Sequence, residues 1–169
     1  MIELLRCITQ ICLLKQGPQA IPYSVGFMRL VIMLSILLDV FFASMQKPFT
    51  SAVLITAFGT IMTLASAHFL LLYFKKKERF VQLVSAVFAT GILIDLIHAP
   101  IALQLANAND SGDMSVGLSL SLLALLAWRL AILTHIASHA AEISRGLAAF
   151  LVLNFWIFTV ILSQSLIGN

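Results

Sequence analysis

Five long apolar segments constrain the fold of this chain more than any other feature of its sequence. They lie near residues 24–45, 50–74, 80–105, 116–140 and 147–167. Each reaches the ~20 residues that an α-helix needs to cross the hydrocarbon core of a bilayer. A helix also satisfies its backbone groups internally, as that environment requires. The sequence therefore predicts an all-α, polytopic integral membrane protein, with five transmembrane helices in a single membrane domain over 1–169.

The overall composition agrees with this class. Apolar residues make up 61% of the 169 residues and charged residues only 10%, against roughly 45–50% and about 25% in soluble domains. The net charge of +3 does not indicate binding to nucleic acid, because basic residues beside membrane spans normally set the orientation of the chain instead.

The basic residues fall unevenly on the two ends of the predicted helices. Lys47 lies at one end, and seven lie at the other: Arg6, Lys15, Lys75, Lys76, Lys77, Arg79 and Arg145. Loops rich in lysine and arginine stay in the cytoplasm. We therefore expect a plasma-membrane protein, in a bacterial inner membrane, with its N-terminus in the cytoplasm and its C-terminus outside.

The first sixteen residues predict a helix of a different kind. One face of this segment is apolar and the other is polar, and the segment is short for a span. Such a pattern is typical of a helix that lies in the membrane interface, so we expect an N-terminal interfacial amphipathic helix over residues 1–16. Its apolar face comprises Leu4, Leu5, Ile8, Ile11 and Cys12.

Three charged residues lie within the predicted spans at one depth. Asp39, Asp95 and Arg129 are each about fourteen or fifteen residues from the cytoplasmic end of their spans, or roughly 21–23 Å at 1.5 Å per residue. A charge facing lipid costs ~2.5–3.5 kcal/mol on insertion scales, so we expect these side chains to pair as an intramembrane ion cluster. Two carboxylates and one guanidinium leave a formal charge of −1, which would allow one carboxyl group to hold a proton.

The sequence allows three interpretations of this cluster. In the first, the ion pairs form a structural clamp that fixes the register of three helices. In the second, the three side chains are part of a proton or ion relay. His98 favours the relay, because it lies three residues beyond Asp95 on the same helix face. In the third interpretation the three charged side chains lie at the same depth but do not contact one another.

The remaining histidines define a candidate metal or cofactor site. His135, His139 and Glu142 are spaced i, i+4 and i+7 on one helix face, and imidazole and carboxylate groups are metal ligands. His68 lies at a depth similar to that of His135, so the two could supply the axial ligands of a haem. We favour packing or hydrogen bonding near the interface, which requires neither a metal nor a cofactor.

No motif of soluble enzyme chemistry is present: the sequence lacks GxGxxG, GxxxxGK[ST], HExxH, CxxC and a nucleophile elbow. Pairs of small residues at i, i+4, such as Ala127 and Ala131, favour close helix packing. We therefore expect a non-catalytic subunit or scaffold of a larger membrane complex, in contact with lipid and with other membrane proteins or further copies of itself. The alternative is a proton-coupled transport or electron-transfer component, the latter using haem or quinone.

Overall fold

The computed structural model describes residues 2–111 and 116–167, and across these ranges every regular element is helical. Five of the α-helices are long and apolar enough to cross a membrane, as expected for a multi-pass membrane protein. In chain order the helices are α1 (Ile2–Cys12), α2 (Val25–Ser44), α3 (Phe49–Tyr73), α4 (Phe80–Ser111), α5 (Val116–Ala141) and α6 (Arg145–Ile167).

The bounds of α4 differ most from the prediction. The polar residues after 105 were expected to form a connection, but the helix continues through Pro100 and ends at Ser111. A proline inside a helix removes one backbone hydrogen bond and usually kinks or breaks it, yet here the helix persists. The remainder of the expected connection, residues 112–115, lies outside the described residues.

Helix α4 is the centre of the bundle. In the candidate span that α4 forms, 61% of the residues in its most apolar part are buried. In each of the other four candidate spans the corresponding share is 11% or less. It packs against α1, α2, α3 and α5, while α6 packs against α3 and α5. The outer helices therefore direct most of their apolar side chains away from the protein, as helices surrounded by lipid do.

The bundle has one basic end, at which α2, α4 and α6 begin and α3 and α5 finish. Side chains join the connections there: Gln82 Nε2 donates to the Ile21 carbonyl oxygen at 3.0 Å, and Gln19 Nε2 donates to the His139 carbonyl oxygen at 2.7 Å. We call the other end, which carries Lys47, the opposite end. The connection from α3 to α4 and the start of α6 lie at the basic end, and they carry Lys75, Lys76, Lys77, Arg79 and Arg145.

Helix α1 forms, but the predicted interfacial helix is not confirmed. It ends at Cys12, and Ile8, Ile11 and Cys12 are buried in the core that α4 and α5 share. Leu5 was expected on the apolar face, yet it is 57% exposed. The helix is thus docked on the bundle, and its contact with the bilayer remains a prediction.

Candidate functional site

A cavity of about 300 Å³ lies between α2, α3, α4 and α5 towards the opposite end. It brings together the four residues that the sequence predicted: Asp39 from α2, Asp95 and His98 from α4, and Arg129 from α5. The helices bring these side chains to one place because each residue lies at a similar distance from the basic end, where α2 and α4 begin and α5 finishes. Apolar side chains, among them Phe42 and Ile55, complete the walls.

Within the cavity one ion pair forms, and it is long. Arg129 Nη1 lies 3.5 Å from Asp95 Oδ1, at the outer limit for a hydrogen bond. Asp39 Oδ2 instead accepts a hydrogen bond from Ser35 Oγ at 3.3 Å, one turn earlier on α2. Among the described residues Asp39 has no ion pair within 4.0 Å, so the predicted cluster shares a cavity without closing into a three-membered clamp.

Asp95 and Arg129 differ sharply in burial. Asp95 is 6% exposed, and its Oδ2 has no hydrogen-bond partner in the described part of the chain. The Arg129 side chain, in contrast, is 46% exposed. A buried carboxylate with an unused oxygen is unfavourable unless a proton, a cation or water satisfies it. Asp95 therefore has one buried acceptor atom that no described protein group satisfies.

Gln46 and Lys47 also line the cavity, from the connection between α2 and α3, and the sequence prediction missed them. Lys47 was considered only as a marker of orientation. The position of Lys47 near the cavity could have been inferred from the sequence. Asp39 lies five residues before the end of α2, and the connection from α2 to α3 that carries Lys47 is short. With Lys47 included, two acidic and two basic side chains line the cavity, so their formal charges balance.

His135 and His139 are engaged in hydrogen bonds near the basic end. His135 is buried, and its Nε2 lies 3.0 Å from the Gln16 carbonyl oxygen. His139 Nδ1 lies 2.9 Å from the His135 carbonyl oxygen. His68 is exposed and packs edge-on against Phe80, with ring centroids 5.9 Å apart. To bind haem iron through Nε2, His135 would have to give up its contact with Gln16, so these positions favour hydrogen bonding and packing.

Glu142 is turned towards basic residues rather than towards the histidines. Glu142 lies just past the end of α5, and its backbone has a φ of 56°, in the left-handed region. Its carboxylate accepts hydrogen bonds from the Lys76 ammonium and the Arg79 guanidinium. Across residues 2–111 and 116–167, no three histidine, cysteine, aspartate or glutamate side chains are grouped so that they could hold a metal ion. Arg79 also donates to the carbonyl oxygens at the end of α5, those of His139 and Ala140.

These ion pairs predict a pH-dependent contribution to stability. Hydrogen bonds from Lys76 and then Arg79 lower the pKa of Glu142 below its ordinary value. The stabilisation is therefore present above the unfolded-state pKa and is lost as the pH falls through the folded-state pKa. We expect Glu142→Gln to lower the melting temperature slightly at neutral pH, and by less at about pH 3, which is below the ordinary pKa of glutamate. Glu78→Gln is the matched control, and an equal loss at both pH values would contradict the prediction.

A second set of hydrogen bonds holds the irregular chain that follows α1. Trp128 Nε1 donates to the Cys12 carbonyl oxygen at 3.0 Å, and His135 Nε2 contacts Gln16 two turns further along the same face of α5. Gly17 fits closely against α5, since a Cβ there would lie 3.1 Å from the His139 Cβ. These contacts give partners to backbone carbonyl oxygens at and beyond the end of α1, where the helix itself no longer supplies donors.

Comparison with protein-family models, curated proteins and solved structures found no match to the chain. The chemistry of the cavity is therefore inferred from its own residues. Those residues are two carboxylates, a half-exposed guanidinium, an imidazole and an ammonium group at the rim. Such a set can hold and transfer protons or bind a small cation.

Proposed function

We propose that the protein is a proton-coupled membrane component, in which Asp95 takes up a proton or a small cation from the cavity. The unused Oδ2 of Asp95 is the observation that carries this proposal. Ionisable residues inside a membrane are expensive and usually mark ion or proton pathways.

The long contact with Arg129 gives the exchange a mechanism. When a proton or cation binds at Asp95, the guanidinium is no longer needed as counter-ion and can turn towards the open part of the cavity. The reverse movement neutralises Asp95 after release, so the carboxylate is never left without a positive partner. Asp39 and His98, which share the cavity, are the groups that would pass the proton on.

Labelling with dicyclohexylcarbodiimide tests this proposal. The reagent is apolar and reacts with protonated carboxyl groups, so we expect an adduct on Asp95 that forms faster as the pH is lowered. Glu142 is the internal control, because it is exposed and paired with two cations. Asp95→Asn should abolish the adduct. Absence of any adduct at Asp95 in folded protein across the pH range would contradict the proposal.

A second candidate function is that of a non-catalytic subunit or scaffold in a larger membrane complex. The 46% exposure of Arg129 favours it, because a guanidinium at this position on a span is stabilised by a partner that covers it. Purification in mild detergent tests this candidate. We expect a partner, or a second copy of the chain, to be retained by the wild-type protein and lost from Arg129→Ala, with Arg29→Ala as the control.

We further propose a plasma membrane of the bacterial inner-membrane type, with the basic end in the cytoplasm. The support is the seven basic residues on that side against Lys47 on the other, together with the positive-inside rule. Helix α1 then docks on the cytoplasmic half of the bundle. A reporter that works only in the cytoplasm should be inactive when fused after Asn169. Strong activity of that fusion would contradict the proposed orientation.

A further inference from the structure

A second cavity, of about 330 Å³, lies at the basic end of the bundle, on the outer surface of α3. Its lining is Leu72 on the last turn of α3 and, in the connection to α4, Lys75, Lys77 and Glu78. Two ammonium groups thus stand beside an apolar floor and a single carboxylate. None of these residues belongs to the polar cavity at the opposite end.

Lys75 and Lys77 are available to a ligand, unlike the two basic residues next to them. Lys76 and Arg79 are both paired with Glu142. Lys75 and Lys77 are exposed, and the part of the chain that the structure describes contains no acidic partner within 4.0 Å of either. The connection therefore separates its four basic residues into an inner pair that braces the bundle and an outer pair that faces the cavity.

An exposed strip, apolar except for His68, continues from this cavity along α3. Ile61 is 64% exposed, Phe69 67%, Leu72 39% and Tyr73 80%. Residues 61, 69, 72 and 73 lie on one side of the helix, since eleven residues complete about three turns. The strip ends with a tyrosine beside the lysines, a residue type enriched where hydrocarbon meets polar headgroups.

We propose that this cavity and strip bind one anionic phospholipid, with its phosphate headgroup between Lys75 and Lys77 and an acyl chain along Ile61, Phe69 and Leu72. Charge complementarity selects an anionic headgroup over a zwitterionic one, because Glu78 offsets one of the two lysines and leaves a net positive cavity. The apolar strip favours a lipid over a free phosphate ion, because only a lipid joins a phosphate group to an acyl chain that can contact the strip. This proposal is independent of the function proposed for Asp95.

The test is lipid retention, measured on the intact chain. The protein is reconstituted in vesicles of phosphatidylcholine containing a minor fraction of phosphatidylglycerol, extracted in mild detergent and analysed by native mass spectrometry. We expect bound phosphatidylglycerol in excess of its share of the vesicle. In Lys75→Gln/Lys77→Gln that excess should fall roughly thirty-fold, since each lysine near an anionic surface contributes a factor of about five.

Two variants and one competitor make the result decisive. Lys47→Gln removes a lysine at the opposite end and should retain the lipid, and Lys75→Arg/Lys77→Arg should retain it as well. Excess inorganic phosphate should not displace it, whereas displacement would show an anion site that does not need the acyl chain. Equal retention of the two phospholipids, or an unchanged excess in a folded double glutamine variant, would overturn the proposal.

Discussion

Replacement of Arg129 by alanine is expected to lower the yield and melting temperature of the folded protein. The change leaves the buried carboxylate of Asp95 without the guanidinium at 3.5 Å. An unsatisfied buried group typically costs about 1–3 kcal/mol, and more when it is charged. We expect the destabilisation to be smallest at acidic pH, because Asp95 can then take up a proton in place of the lost cation.

Removing all three charges is expected to reverse the loss. Asp39→Asn, Asp95→Asn and Arg129→Met together replace the ionic groups by neutral ones of similar size, which is often close to neutral for stability. The triple variant should therefore fold like the wild type yet show no proton exchange. Arg29→Ala is the control, because Arg29 is exposed on the first turns of α2, and it should leave the stability unchanged. Unchanged stability in Arg129→Ala would mean that the arginine does not compensate Asp95.

Replacement of Trp128 by phenylalanine is expected to loosen the N-terminal segment. The ring volume is largely kept, but the Cys12 carbonyl oxygen loses its donor at 3.0 Å. Loss of that hydrogen bond should cost about 1–3 kcal/mol, which corresponds to roughly 5–150-fold in a local opening equilibrium. Hydrogen–deuterium exchange in residues 2–16 measures this opening directly, and we expect it to accelerate in the variant.

Trp156→Phe is the matched control, because Trp156 lies on another candidate span and makes no hydrogen bond with the described residues through its indole nitrogen. It should leave exchange in residues 2–16 unchanged. If Trp128→Phe and Trp156→Phe give the same exchange in that segment, the hydrogen bond to Cys12 does not hold α1 on the bundle.

The positions of the spans could be predicted because long apolar runs and polar connections define them directly. The bounds of α2, α3, α5 and α6 lie within two residues of the predicted ones. The co-location of Asp39, Asp95, His98 and Arg129 followed from counting depth along each helix from the basic end. Depth does not specify contact, however, so it could not decide which of the two carboxylates pairs with Arg129.

The packing of the helices could not be predicted from periodicity. The candidate spans are apolar on all sides, so their sequences do not show that α4 is central. The burial of Ile8, Ile11 and Cys12 depends on that packing, and so does the hydrogen bond from Trp128 to Cys12. Extension of α4 to Ser111 was missed because a polar run such as the one after residue 105 usually indicates the end of a helix.

Infrared difference spectroscopy tests most directly whether Asp95 exchanges a proton. The carbonyl stretch of a protonated carboxyl group is separate from the bands of a carboxylate, so it reports the proton itself. Between about pH 6 and pH 9, which lies above the range in which ordinary carboxyl groups titrate and below that of lysine, we expect such a band to grow on acidification and to disappear in Asp95→Asn. A spectrum without that band in the folded wild-type protein, or one that is identical in Asp95→Asn, would contradict the proposal and leave a fixed ion pair as the role of Arg129.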